Sequence, residues 1–147
     1  MDKASNLIEV YNYLTEMDGQ GNLVHSGASY NLFTGDFNPD SGYMVALSGY
    51  EKIVGFPSTL NVFQDVMLNY LQGRILKVMG EADIYLGFWF NEGTLCIDLS
   101  ERIEDEPTAI KVGLARNQKA IWDATNKRDI VLTKVSNDPD IQTDKHY

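Results

Sequence analysis

Residues 84–103 read IYLGFWFNEGTLCIDLSERI. Two runs of β-forming residues meet at a tight turn over Asn91-Glu92-Gly93, because Asn and Gly both tolerate positive φ. Pairing Phe90 with Leu95 sets Phe88 against Ile97 and Leu86 against Leu99. One face is then Ile84, Leu86, Phe88, Phe90, Leu95, Ile97 and Leu99, all apolar. The other is Tyr85, Gly87, Trp89, Cys96, Asp98 and Ser100. A slip of one residue mixes the two sets, so this register is the expected one.

The chain on either side supplies helices and shorter strands. Leu7, Val10, Tyr11 and Leu14 recur at helical spacing, so a helix is expected over 4–17, capped by Ser5 or Asn6 and ended by the Gly19, Gly21, Asn22 cluster. Residues 22–41 read as loop, with short strands at Leu23-Val24 and Tyr30–Phe33. Tyr30, Phe33 and Phe37 are expected to anchor that loop on the core. Gly42–Ser48 is a strand whose hairpin partner is Glu51–Val54 across a turn at Gly49-Tyr50. Pro57 and Ser58 open a helix over 58–72, carried by the spacing of Leu60, Phe63, Met67, Tyr70, Leu71 and Ile75. Gly73 kinks it or ends it, and in the second case 74–79 form a further turn or two. Gly80 stops it.

Past the central hairpin, Asp105 before Glu106-Pro107 caps a helix over 108–116, with Ala109, Val112 and Gly113 on its packed face. Ala120–Ala124 and Asp129–Lys134 form a last hairpin about a turn at 125–128. Residues 136–147 are polar and aperiodic, a tail beyond a single domain of 1–135. The order predicts an α+β domain: a mostly antiparallel sheet built from hairpins, with helices packed on one side.

Composition narrows the function. The 147 residues are 44% hydrophobic with a formal net charge of −9. That charge argues against a nonspecific nucleic-acid binder and suits a soluble protein that docks on a basic surface. A single cysteine, Cys96, excludes an intrachain disulfide framework and reads as a small strand filler rather than a nucleophile. No apolar run is long enough for a membrane helix, and the N-terminus has no signal-peptide pattern. His25 and His146 sit in no metal-ligand spacing, and no nucleophile elbow, Walker loop or dinucleotide fingerprint is present. No catalytic set, metal site or cofactor is therefore expected.

Two clusters stand out. Tyr85 and Trp89 flank Gly87, with Asp98 across from it. This forms a notch with aromatic walls and a carboxylate rim that would stack a planar ring, or else a place filled by close packing. Arg116, Trp122 and Arg128 gather rare positive charge near an aromatic. Arg116 with Arg128 would hold a phosphate, or else cap a helix and line a solvated turn. Arg74 and Arg102 are weaker candidates of the same kind.

Ser41-Gly42-Tyr43-Met44-Val45, Gly87-Phe88-Trp89-Phe90-Asn91-Glu92-Gly93 and Ile97-Asp98-Leu99-Ser100 form a pattern across the chain. It continues through Ala109, Gly113, Asn117-Gln118 and Ala120-Ile121-Trp122-Asp123. Over roughly 41–130 it resembles small proteins of bacteriophages and prophages, in particular the Thoeris anti-defence sponges of the first described type. The resemblance implies a multimeric, non-enzymatic protein in the cytoplasm of an infected bacterium. It would bind a cyclic ADP-ribose-type signal and keep it from its effector. The expected ligand residues, Tyr85, Trp89, Asn91, Asp98, Arg116, Trp122 and Arg128, come from the two clusters above, not from the family. The alternatives are an acidic protein-binding inhibitor of a CRISPR or restriction nuclease, and a small assembly protein that self-associates through apolar residues of 28–45.

Overall fold

The computed structural model describes residues 6–74 and 83–132. Among them are three helices, α1 (Leu7–Leu14), α2 (Leu60–Leu71) and α3 (Glu106–Ala115). The strands are β1 (Gly27–Tyr30), β2 (Tyr43–Ala46), β3 (Lys52–Gly55), β4 (Ile84–Asn91), β5 (Thr94–Ile103), β6 (Ala120–Asp123) and β7 (Arg128–Val131). They form a seven-stranded sheet ordered β1-β4-β5-β2-β6-β7, with β3 also on β5. The assigned pairings are antiparallel. The fold is α+β with helices packed against the sheet. Contacts group the chain into two compact units, Met1–Asn38 with Tyr50–Leu99 and Pro39–Gly49 with Ser100–Tyr147. The expected helical continuation over 74–79, the stop at Gly80 and the tail at 136–147 lie outside the described residues.

In the first unit, β4 and β5 are joined by a two-residue loop, Glu92-Gly93, with φ of 46° and 82°. Positive φ at both central residues is the turn whose twist matches that of the strands. A two-residue loop opposes Asn91 to Thr94, and so Phe88 to Ile97 and Gly87 to Asp98, the register expected from the apolar face. Glu92, not Asn91, takes the left-handed conformation. Phe63 of α2 packs on Phe88 at a ring separation of 5.9 Å. Phe63, Met67 and Tyr70, at successive turns of α2, are fully buried. Burying a large apolar side chain contributes about 1.5–3 kcal/mol relative to leaving it exposed.

α1 starts as expected, with Asn6 Oδ1 accepting from the amides of Ile8 and Glu9. It is shorter than its apolar stripe suggests. Thr15 Oγ1 donates back to the Tyr11 carbonyl, and Met17 bridges Leu23 instead of continuing the helix. The strand expected at Tyr30–Phe33 lies earlier, at Gly27–Tyr30. Asn31 ends it by turning the chain, its Oδ1 accepting from the Phe33 and Thr34 amides. Tyr30 and Phe37 anchor the loop in the core, while Phe33 is 67% exposed. α2 is capped by Thr59 and followed by Gly73 at φ 77°, which ends the helix instead of kinking it.

β3 corrects a second expectation. It is not the hairpin partner of β2: β3 pairs with the first half of β5, Lys52 opposite Ile97 and Gly55 opposite Thr94.

In the second unit, β2 pairs with the other half of β5, Tyr43 opposite Ile103, and also with β6. α3 begins at Asp105, whose carboxylate accepts from the Thr108 amide at 2.9 Å. The helix lies close on the strands. A Cβ at Gly113 would come within 2.6 Å of Leu132 Cδ1 and 3.0 Å of Ile121 Cγ2. Val45, Ala109, Ile121 and Leu132 make the small core beneath it.

Candidate functional site

In the first unit, Gly87 and Asp98 face each other on the central hairpin. A Cβ on Gly87 would collide with Asp98 Oδ1. The expected notch is thus occupied by the carboxylate assigned to its rim. Strand alternation puts Ser29, opposite Gly87, on the same face. Asp98 is 8% exposed, and among the described residues no donor meets its carboxylate. Burial, reinforced by the Glu51 charge, raises its pKa to about 7. Water is a far better solvent for a carboxylate than a protein interior, so an unpaired buried acid holds its proton.

Tyr85, expected to stack a ring, is 1% exposed. Its hydroxyl lies 3.3 Å from Asp36 Oδ2, to which it donates. With both ring faces buried, it belongs to the core. Trp89, opposite Gly27 on β1, is half-buried. Gly27 permits that approach, since a Cβ there would strike the Phe88 carbonyl. Asn91 is exposed at the end of β4, and its carbonyl accepts from Thr94 Oγ1 at 2.6 Å. Trp89 and Asn91 share a face of β4 by strand alternation.

The second unit holds Arg116, Trp122 and Arg128. Arg116 caps the end of α3. Its guanidinium meets Glu101 Oε1 at 2.6 Å and reaches the Val45 carbonyl. Arg128 lies opposite Asp123, with Nε 3.5 Å from Oδ2 and its side chain 64% exposed. Asp123 is buried and also accepts from the Thr125 and Asn126 amides and from Asn126 Nδ2. The Asn126 side-chain bond is the main cause that holds its pKa below the usual carboxylate value. Trp122 pairs with Asp129, so it projects from the face opposite to Arg128. Arg116 is held by Glu101, Arg128 lies beside Asp123 with most of its side chain exposed, and Trp122 is on the opposite face of the hairpin from Arg128.

The weaker candidates are likewise engaged. Arg102 donates to the Ser41 carbonyl and hydroxyl and pairs with Glu104 at 2.6 Å. Arg74 lies over the Tyr70 ring at 4.5 Å and donates to the Tyr70 carbonyl. His25 stacks on Tyr13 and meets Glu16. No group of acids, histidines and cysteine with metal-binding geometry occurs among the described residues, and none of their helices is long and apolar enough to cross a membrane. Cys96 is buried in β5.

Sequence reasoning missed Glu51, which belongs to the setting of Asp98 through the β3–β5 pairing. It also missed Glu101 as the partner of Arg116. Neither has a local signal, because both pairings span long stretches of chain. No protein-family model, curated protein or solved structure matches this chain.

Proposed function

We propose that the protein is a non-enzymatic binding protein of bacteriophage type whose acidic surface occupies a basic face of a bacterial defence nuclease. The observation that carries this reading is the use of the arginines. All four in the sequence have a partner within the fold: Arg74 on Tyr70, Arg102 by Glu104, Arg116 by Glu101 and the largely exposed Arg128 beside Asp123. Acids such as Asp18, Asp40, Asp65, Glu92 and Glu104 remain exposed on a chain of net charge −9. Such a surface repels a phosphate ligand and attracts a protein face built to hold nucleic acid.

The test is competition. A fluorescent DNA duplex bound to a purified restriction or CRISPR nuclease is released as the protein is added, and the effect fades as salt rises. Absence of release from any nuclease tested at low salt would count against the reading.

A second reading is sequestration of a cyclic ADP-ribose-type signal by a homo-oligomer. Trp89, half-buried, and Asn91, exposed, favour it, since they put an indole and an amide on one face of β4. It predicts saturable quenching of tryptophan fluorescence by the nucleotide, which is recovered intact. Of the apolar residues of 28–45 on which the assembly reading rests, Tyr30, Phe37, Met44 and Val45 are buried and Phe33 is exposed.

A further inference from the structure

Asp98 occupies a particular place on its strand. Ile97 before it is the last β5 residue paired with β3, through Lys52. Asp98 is the first residue past that ladder, and Glu51 is the residue beside it on the β3 side. β3 is short, four residues long, with Ile53 and Gly55 exposed, and is held past its far end by Phe56, whose amide donates to the Gly93 carbonyl and whose ring stacks on Phe90. Lys52 Nζ ties it to α2 through Asn69 Oδ1 at 3.3 Å.

Among the described residues no positive charge meets the Asp98 carboxylate. Glu51, the residue just before β3, adds a like charge. From α2, Tyr70 interacts with it electrostatically, but the Tyr70 hydroxyl donates to the Tyr50 carbonyl at 2.7 Å. Arg74 is committed to Tyr70. From β4 comes the bare backbone of Gly87, and Tyr85 on the same face directs its hydroxyl to Asp36. A neutral carboxylic acid packs in this setting at small cost. A carboxylate there keeps little water, meets no donor among the described residues and has the Glu51 charge against it.

We propose that Asp98 is a proton-operated latch for β3: protonated, it packs over Gly87 and keeps the end of the β3–β5 ladder dry; ionised, it draws in water and β3 opens from β5. The proton leaves to bulk solvent. The latch is a property of the first unit and does not depend on what the protein binds. Ionisation also exposes the β5 edge from Thr94 to Ile97, a strand edge open to pairing.

Amide hydrogen exchange of the full chain between pH 5 and 8.5, corrected for intrinsic rates, tests it. One proton linked to opening lowers ladder protection roughly tenfold per pH unit until the folded carboxyl has titrated. The loss should be confined to Lys52–Gly55 and Thr94–Ile97, with α1 and α3 unchanged. Asp98→Asn should abolish the pH dependence. Glu51→Gln removes the like charge and should move the transition to lower pH, which keeps the test decisive if the Asp98 variant does not fold. Flat protection in the natural protein, an equal fall in every element, or an unmoved transition in Glu51→Gln would each overturn the latch.

Discussion

The Asp98 carboxylate rests on the backbone of Gly87, in the volume that any larger residue's Cβ would take. Each residue makes the other tolerable: the glycine supplies room, and the acid fills what would otherwise be a void between strands. Replacing Gly87 with Ala forces the acid out of place and should cost about 1–3 kcal/mol, the usual range for overpacking. In urea unfolding, Gly87→Ala combined with Asp98→Ala should lose less stability than Gly87→Ala alone. Equal losses would show that the two do not share that space.

The same burial fixes a pH dependence. The native state keeps the Asp98 proton up to about pH 7, while an unfolded chain releases it near pH 4. The native state therefore binds more protons across that window, and stability falls as pH rises through it. Asp98→Asn should remove this slope and melt higher than the natural protein above pH 7. Thermal melts at pH 5, 6, 7 and 8 read the difference.

Asp123 acts in the opposite direction. Its carboxylate is held ionised by Asn126, with Thr125 and Arg128 adding to the effect. Its stabilisation is present at neutral pH and is lost as pH falls through its lowered pKa. Asp123→Asn should weaken the second unit at pH 7 and blunt the acid limb of its unfolding curve.

Glu92 holds a left-handed φ of 46° where Asn or Gly is favoured. Glu92→Asn should relieve that strain and raise stability by about 0.5–1 kcal/mol. An unchanged urea midpoint would mean that the turn carries no cost.

Arg116 is spent on Glu101 at 2.6 Å, with both side chains partly exposed. Arg116→Ala should cost about 0.2–1 kcal/mol, as partly solvated pairs do. It should leave competition with DNA for a nuclease unimpaired. A strong loss of nucleotide binding in a folded Arg116→Ala protein would instead place Arg116 in a phosphate site.

The central hairpin was legible because its apolar face fixes one register, and α2 because five apolar positions recur at helical spacing. Asp105 was legible because a capping carboxylate ahead of Glu-Pro is a local signal. The partner of β3 was not. A turn at Gly49-Tyr50 predicts a hairpin from local sequence, whereas which strand a four-residue segment joins is settled by distant residues on β5. The site was legible only in part. Alternation placed Gly87 opposite Asp98 correctly. Whether the acid rims a notch or fills it depends on side-chain packing that periodicity does not carry. Arg116 looked available because its partner Glu101 lies on β5, whereas Asp123 stands five residues before Arg128 in the same hairpin and was within reach of the sequence.

The competition experiment addresses the binding claim most directly. Labelled DNA is bound to each of several purified restriction and CRISPR nucleases, and its anisotropy is followed as the protein is added at low and at high salt. Release from at least one nuclease is expected near stoichiometric protein, weakening steeply with salt. No release at low salt, together with saturable quenching of the tryptophans by a cyclic nucleotide, would contradict it and favour the sequestration reading.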